Sequence, residues 1–150
     1  MNKTGPDFIG IGAQKAATTW VFKWLKAHPE VGFAPMDKQP GETMADGKVT
    51  STWPKELHFV VGPNNARGWD WYLDLFDHTD RPEKTLGEIC PRYLIAPPDA
   101  IETLQSHCPD VRLLLNLRDP VERDWSAIRM IARRRDVLDN PGGRCQSKPA

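Results

Sequence analysis

The stretch FIGIGAQKAATTWVFKWLKAH, residues 8–28, constrains this chain more than any other. A short apolar run, Phe8 to Ile11, passes through Gly12 into a loop carrying Lys15, and Thr18-Thr19 then opens a helical pattern. A strand handed to a helix through a loop of small residues is the opening unit of an α/β sheet. The same unit suits an anion. Small residues let the backbone come close, N–H groups at the helix start point outward, and Lys15 with the hydroxyls of Thr18 and Thr19 adds charge and donors. The Walker loop places its lysine directly before the Ser/Thr, after a second glycine. Here Lys15 stands three residues before Thr18 and no glycine follows it. The plainer reading is an ordinary strand–helix turn with an exposed lysine.

A second segment, VRLLLNLRDPVERDWSAIRM at 111–130, begins as a continuous apolar run, the pattern of a parallel strand buried on both faces. Asp119 is a good N-cap, Pro120 suits the first helical position, and Glu122 completes a capping-box-like pattern. Arg118 is thereby predicted at the C-terminal end of a central strand, where open α/β sheets bind ligands. Ser126 falls about two turns into the helix that follows.

Together the two segments resemble the nucleotide motifs of sulfotransferases that use 3′-phosphoadenosine 5′-phosphosulfate (PAPS). The 5′-phosphosulfate loop of that family reads roughly G-x-x-K-x-G-T-T, matched by Gly12, Lys15, Thr18 and Thr19, with Ala17 where glycine is usual. Its 3′-phosphate motif, R-[DN]-P-x-x-R-x-x-S, is matched by Arg118, Asp119, Pro120, Arg123 and Ser126. Three shorter segments resemble the glycan-type branch. These are Lys55-Glu56-Leu57-His58-Phe59 (K-E-x-H-F), Gly68 to Phe76 (G-x-x-W-Y-x-x-x-F), and Gly87-Glu88-Ile89-Cys90-Pro91-Arg92-Tyr93, where Ile89 and Cys90 replace the polar pair of G-E-[KS]-[ST]-P-x-Y. The resemblance spans residues 7 to about 130 and implies the N-terminal half of the family domain. Nothing after Ser126 resembles the family's later Gly- and Lys-containing loop.

The resemblance implies roles. Gln14, Lys15, Ala16, Ala17, Thr18 and Thr19 would hold the 5′-phosphate. Arg118 and Ser126 would hold the 3′-phosphate, where a guanidinium fork suits a dianion. Lys15 would stabilise charge on the bridging oxygen as the S–O bond breaks. Glu56 would be the base that deprotonates an acceptor hydroxyl or amine, with His58 as base or as the group orienting Glu56. The implied activity is sulfuryl transfer from PAPS, leaving the desulfated product PAP, to a carbohydrate or small-molecule acceptor, with no metal. The alternatives are a non-catalytic nucleotide-binding remnant and a P-loop kinase. A kinase would need a Walker-type loop and a magnesium-binding aspartate, and the sequence shows neither.

The chain has 150 residues, one domain's worth, with 20 basic and 20 acidic side chains. Such a balance gives no field for a polyanion, so no nucleic-acid partner is expected. Three cysteines, Cys90, Cys108 and Cys145, lie far apart and spell neither a metal-ligand pattern nor a disulfide framework. No signal peptide or anchor precedes the first strand, whereas Golgi members of the family begin with an anchor. A cytoplasmic location without a membrane partner is therefore expected.

Elsewhere the patterns alternate. Strand 7–12 leads to helix 18–27, whose Val21, Trp24, Leu25 and His28 share a face, and Val31 to Ala34 reads as a short strand. Residues 36–54 read as a mobile loop and Glu56 to Val60 as extended. Trp69, Tyr72, Leu73 and Phe76 make an amphipathic aromatic helix that belongs to the core. Thr85 to Ile89 reads as a strand, and Asp99 as the cap of a helix carrying Ile101, Leu104 and Cys108. Strand 111–117 and helix 120–135 complete the order. The expectation is a P-loop-like three-layer α/β domain, 1–136, with a central parallel sheet and helices on both faces. A disordered tail, 137–150, would follow. A sheet ending at this helix would leave apolar surface at Trp125, Ile128 and Ile131, so self-association is expected.

Overall fold

The computed structural model describes residues 5–34, 42–43, 49–50, 56–77 and 82–139. Four strands, β1 (Phe8–Gly12), β2 (Val31–Phe33), β5 (Thr85–Ile89) and β6 (Arg112–Leu115), form one parallel sheet in the order β2-β5-β1-β6. Two short strands, β3 (Glu42–Thr43) and β4 (Val49–Thr50), pair antiparallel with each other. Four α-helices complete the order: α1 (Thr18–Lys26), α2 (Trp69–Asp74), α3 (Pro98–His107) and α4 (Pro120–Asp139).

Alternation along the strands builds the layers, because successive side chains of a strand point to opposite faces. Ile9 of β1, Leu86 of β5 and the following Cys90 enter one core with Tyr72 of α2, Leu104 of α3 and the loop residues Leu57 and Phe59. Phe8 and Ile89 enter a second core with Val21, Phe22 and Leu25 of α1 and Phe33 of β2. Helices therefore cover both faces, as the alternating pattern predicts. Gly87 marks how closely β5 approaches β1: a Cβ there would stand 2.4 Å from the Phe8 carbonyl oxygen. The aromatic helix belongs to the core as expected. Tyr72 stacks on Phe59 with ring centroids 4.3 Å apart, and Phe76 meets Tyr72 edge-on at 5.2 Å. Each such pair adds about 0.5–1.5 kcal/mol beyond the area it buries.

Several expectations are corrected. On α1 the buried positions are Thr18 and Phe22, with Val21 and Leu25 half-buried, while Trp24 is 61 % exposed and His28 exposed. The sheet meets the face one step round the helix from the expected one. Asp99 is not the cap of α3: it lies inside the first turn, and Pro97 precedes the helix. The strand at 111–117 shortens to β6 and is not buried on both faces. It is an edge of the described sheet, and Leu113, Leu114 and Leu115 are all exposed. Arg118 accordingly follows an edge strand, not a central one. The loop expected at 36–54 contains β3 and β4, and its remaining positions lie outside the described residues. Helix α4 runs through Asp139, past the expected start of the tail, and 140–150 lie outside the described residues. The cap at Asp119 is present: the Glu122 N–H donates to its Oδ1 at 3.0 Å. Glu122 does not reciprocate in a capping box, and its carboxylate takes Arg118 instead.

Candidate functional site

Parallel strands carry their following loops to the same edge of a sheet, so β1, β5 and β6 gather three sequence-distant segments at their C-terminal ends. The first is the loop after β1. Gly12 has φ +137°, a region that side chains rarely enter, and starts the turn. Lys15 and Ala17 follow in the left-handed region at φ +67° and +61°. Ala17 immediately precedes α1, and its carbonyl accepts from the Trp20 and Val21 N–H groups at 2.9 and 3.1 Å. A left-handed residue at that position explains why glycine is favoured there. Ala16 and Thr18 are buried, Lys15 and Thr19 half-buried, and Gln14 and Ala17 exposed.

The second segment follows β6. Backbone pairing continues past the strand ends, Ala13 N–H to Asn116 C=O at 2.9 Å and Asn116 N–H to Gly12 C=O at 2.8 Å. That pairing lays residues 116–118 against the loop. Arg118 then donates through Nη1 to the Lys15 carbonyl at 3.2 Å and through Nη2 to Glu122 Oε2 at 3.2 Å. The structure thus brings Lys15 and Arg118 together across 103 positions of sequence. An arginine side chain held on a lysine-bearing loop beside a helix N-terminus is an arrangement whose charge and N–H groups suit an anion. Ser126 is half-buried on α4, and Arg123 pairs with Asp124.

The third segment, Glu56 to Val60, is not the extended run expected: His58 sits in the left-handed region, Val60 lies in a turn, and among the described residues the segment joins no strand ladder. Its backbone is held by side chains of a buried network. Glu88 Oε2 accepts the Leu57 N–H at 3.1 Å, and Tyr93 Oη accepts the N–H groups of Phe59 and Val60 at 2.8 and 3.2 Å. Tyr93 and Tyr72 in turn donate to Glu88 Oε1 at 3.1 and 2.7 Å. Burial is the main influence on Glu88 and raises its pKa from 4.5 to about 7, against the pull of these three donors. Burial also pushes the Tyr72 and Tyr93 hydroxyls above their ordinary range, with the Glu88 charge adding to it.

On that scaffold Glu56 and His58 come together, with Glu56 Oε2 3.4 Å from His58 Nε2 and both side chains about a quarter exposed (25 % and 26 %). His58 has φ +49°, which directs the next residues back into the core. Its Nδ1 faces the buried Cys90 sulfur at 3.5 Å. Lys55, the first residue of the K-E-x-H-F match, lies outside the described residues.

Reading by motif missed two things. Glu88, Tyr72 and Tyr93 act together to hold the segment that carries Glu56 and His58. Cys90, whose spacing from the other cysteines suggests nothing, stands beside His58. The G-E-x-x-P-x-Y spacing held the signal for the first, since a glutamate on a buried strand demands partners.

Known proteins bear on this geometry. No family model matches the chain. The membrane-associated sulfotransferase kil1 of Dictyostelium discoideum is 30 % identical over 123 residues, 81 % of this chain and 22 % of that protein. The bifunctional heparan sulfate N-deacetylase/N-sulfotransferase 2 of Mus musculus is 33 % identical over 76 residues, 47 % of this chain and 7 % of that one. A crystal structure of a sulfotransferase from Alicyclobacillus acidocaldarius superposes with a TM-score of 0.59 at 26 % identity, covering 87 % of this chain and 51 % of its own. The chain is a relative of the sulfotransferases. It spans about half of that solved sulfotransferase and under a quarter of the curated sulfotransferases it matches. Among the described residues no helix is long and apolar enough to cross a membrane.

Proposed function

We propose that this chain holds PAPS and transfers its sulfuryl group to a hydroxyl or amine of a carbohydrate or small-molecule acceptor. One observation carries the reading: Arg118, at the end of β6, donates to the carbonyl of Lys15, in the loop after β1. Two motifs that resemble separate phosphate contacts are thereby joined at one sheet edge. The residues suit such a nucleotide. The loop offers small residues at Gly12, Ala13, Ala16 and Ala17, a helix N-terminus and Lys15 for the 5′-phosphosulfate. Arg118, with Ser126 two turns along α4, supplies donors for a 3′-phosphate.

PAPS supplies an activated sulfuryl group whose departure leaves negative charge on a phosphate oxygen. Lys15 would stabilise that charge, which is the usual largest contribution to such chemistry. Glu56 accepts the acceptor's proton, and His58, 3.4 Å from it, orients its carboxylate. Holding the 56–60 backbone on Glu88 and Tyr93 keeps this base in place without a strand ladder. The exposed apolar face of β6 and α4 favours a second reading, in which these residues by themselves hold the nucleotide without turning it over.

The test compares PAP with adenosine 5′-phosphate in thermal-shift and calorimetric titrations. PAP should bind more tightly, and Arg118→Ala should remove about 1.5–3 kcal/mol of PAP binding, the scale of a hydrogen bond to a charged group. Equal affinity for the two nucleotides would sink the assignment. Turnover of PAPS measured on the same preparation separates the two readings.

A further inference from the structure

We propose that Glu56, His58 and Cys90 form a binding site for a soft divalent metal ion of the zinc type. One donor atom from each lies within 4.8 Å of the other two. Zinc holds sulfur at about 2.3 Å and nitrogen or oxygen at about 2.0–2.2 Å, so ligands on a tetrahedral ion stand roughly 3.3–3.6 Å apart. The Cys90 sulfur and His58 Nδ1 already stand 3.5 Å apart. Glu56 now faces the other ring nitrogen, Nε2. With the ion on Nδ1, its carboxylate must swing round the ring, and its partial exposure leaves it room to do so.

The donor set is selective. A thiolate with an imidazole favours zinc or cobalt over magnesium or calcium, which prefer oxygen alone. The frame around it is fixed. The Cys90 N–H donates to the Gly10 carbonyl at 2.8 Å, and the residues flanking His58 are bonded to Glu88 and Tyr93. Held backbones of this kind orient ligands before the ion arrives. Binding forms a metal–sulfur bond and breaks the Cys90 S–H bond, and the proton leaves to solvent. Three protein ligands leave a fourth position for water. The metal site stands on this geometry alone. Only its consequence rests on the function proposed above: an ion here would occupy the carboxylate of Glu56 and inhibit transfer.

The experiment titrates the reduced 150-residue chain with cobalt(II), followed by the thiolate-to-cobalt charge-transfer band in the near ultraviolet, then displaces cobalt with zinc. The band should appear at one equivalent, vanish with zinc, and persist in a Cys108→Ser/Cys145→Ser double variant. Cys90→Ser should abolish it. His58→Gln, which keeps all three thiols, should weaken cobalt binding by about 100-fold or more, beyond the 10–100-fold typical of losing an outer-sphere partner. Absence of the band, or its survival in Cys90→Ser, would overturn the site, and so would unchanged affinity in His58→Gln. PAP binding is read on the same samples. Normal PAP binding without cobalt binding rejects the metal site alone, whereas cobalt binding without PAP binding upholds it and rejects the nucleotide reading.

Discussion

Glu88 makes the stability of this domain depend on pH in a direction opposite to that of most carboxylates. Its side chain is buried, 1 % exposed, and burial raises its pKa from 4.5 to about 7. The folded state therefore holds a proton that the unfolded chain releases more readily. The stabilisation is complete below about pH 4.5 and is lost as pH rises through about 7. At about 1.4 kcal/mol per pH unit, that interval amounts to about 3 kcal/mol, a large share of the roughly 5–15 kcal/mol that holds a domain together. Glu88→Gln stays neutral throughout. Its amide places an N–H where the wild type offers an acceptor to Leu57, Tyr72 or Tyr93, at a cost of about 1–3 kcal/mol. Urea unfolding of both proteins from acid to neutral pH should show the wild type ahead in acid and the gap closing toward neutrality. Histidine titration is common to both, so the difference between the two curves isolates Glu88. A difference that stays constant across the range, or widens toward neutral pH, would refute the reasoning.

Three further outcomes are expected. Ala17→Gly relieves a left-handed alanine worth about 1–2 kcal/mol and gives back about 0.4–1 kcal/mol to the unfolded chain. A net gain of up to about 1.6 kcal/mol should appear in denaturant unfolding, and Ala17→Val should lose stability. Where turnover is measured, Lys15→Ala should lower kcat by about 10²–10³ and Glu56→Gln by about 10²–10⁴ with PAP affinity preserved. Near-full activity in Glu56→Gln with none in His58→Ala would move the base to His58. Leu113, Leu117, Trp125 and Ile128 are each more than half exposed, and apolar surface of that extent drives association. Sedimentation velocity should show concentration-dependent self-association that Leu117→Glu with Trp125→Glu weakens. A monodisperse monomer would contradict it.

The sequence was most legible where local chemistry decides. An apolar run into Gly12 and a Thr pair place β1 and the start of α1 almost to the residue, and Asp119-Pro120 does the same for α4. These signals act over one turn of chain. The apolar run at 111–117 was misread because hydrophobicity records what a strand is suited to touch, and among the described residues β6 has a neighbour on one side only. The helix α1 was turned by one step because Trp24 and Phe22 are equally apolar, and only the packed sheet chooses between them. The support beneath Glu56 and His58 was hidden for a third reason. Leu57 lies 31 residues from Glu88, and Tyr72 lies 16 from it. No local rule links such positions.

The pairing of β1 with β6 sets Phe8 opposite Arg112, and the Arg118–Lys15 hydrogen bond hangs on it. Contacts so distant along the chain close a large loop before any of their energy returns, and they are among the slow events of folding. The proposed nucleotide site is therefore expected to be completed late, after α1 and the aromatic packing around Tyr72 can form. During refolding, recovery of PAP binding should lag behind helical signal and coincide with the final cooperative phase. Nucleotide added early should leave the folding rate unchanged and slow only unfolding, because the ligand has nothing to grip until the two strands have met.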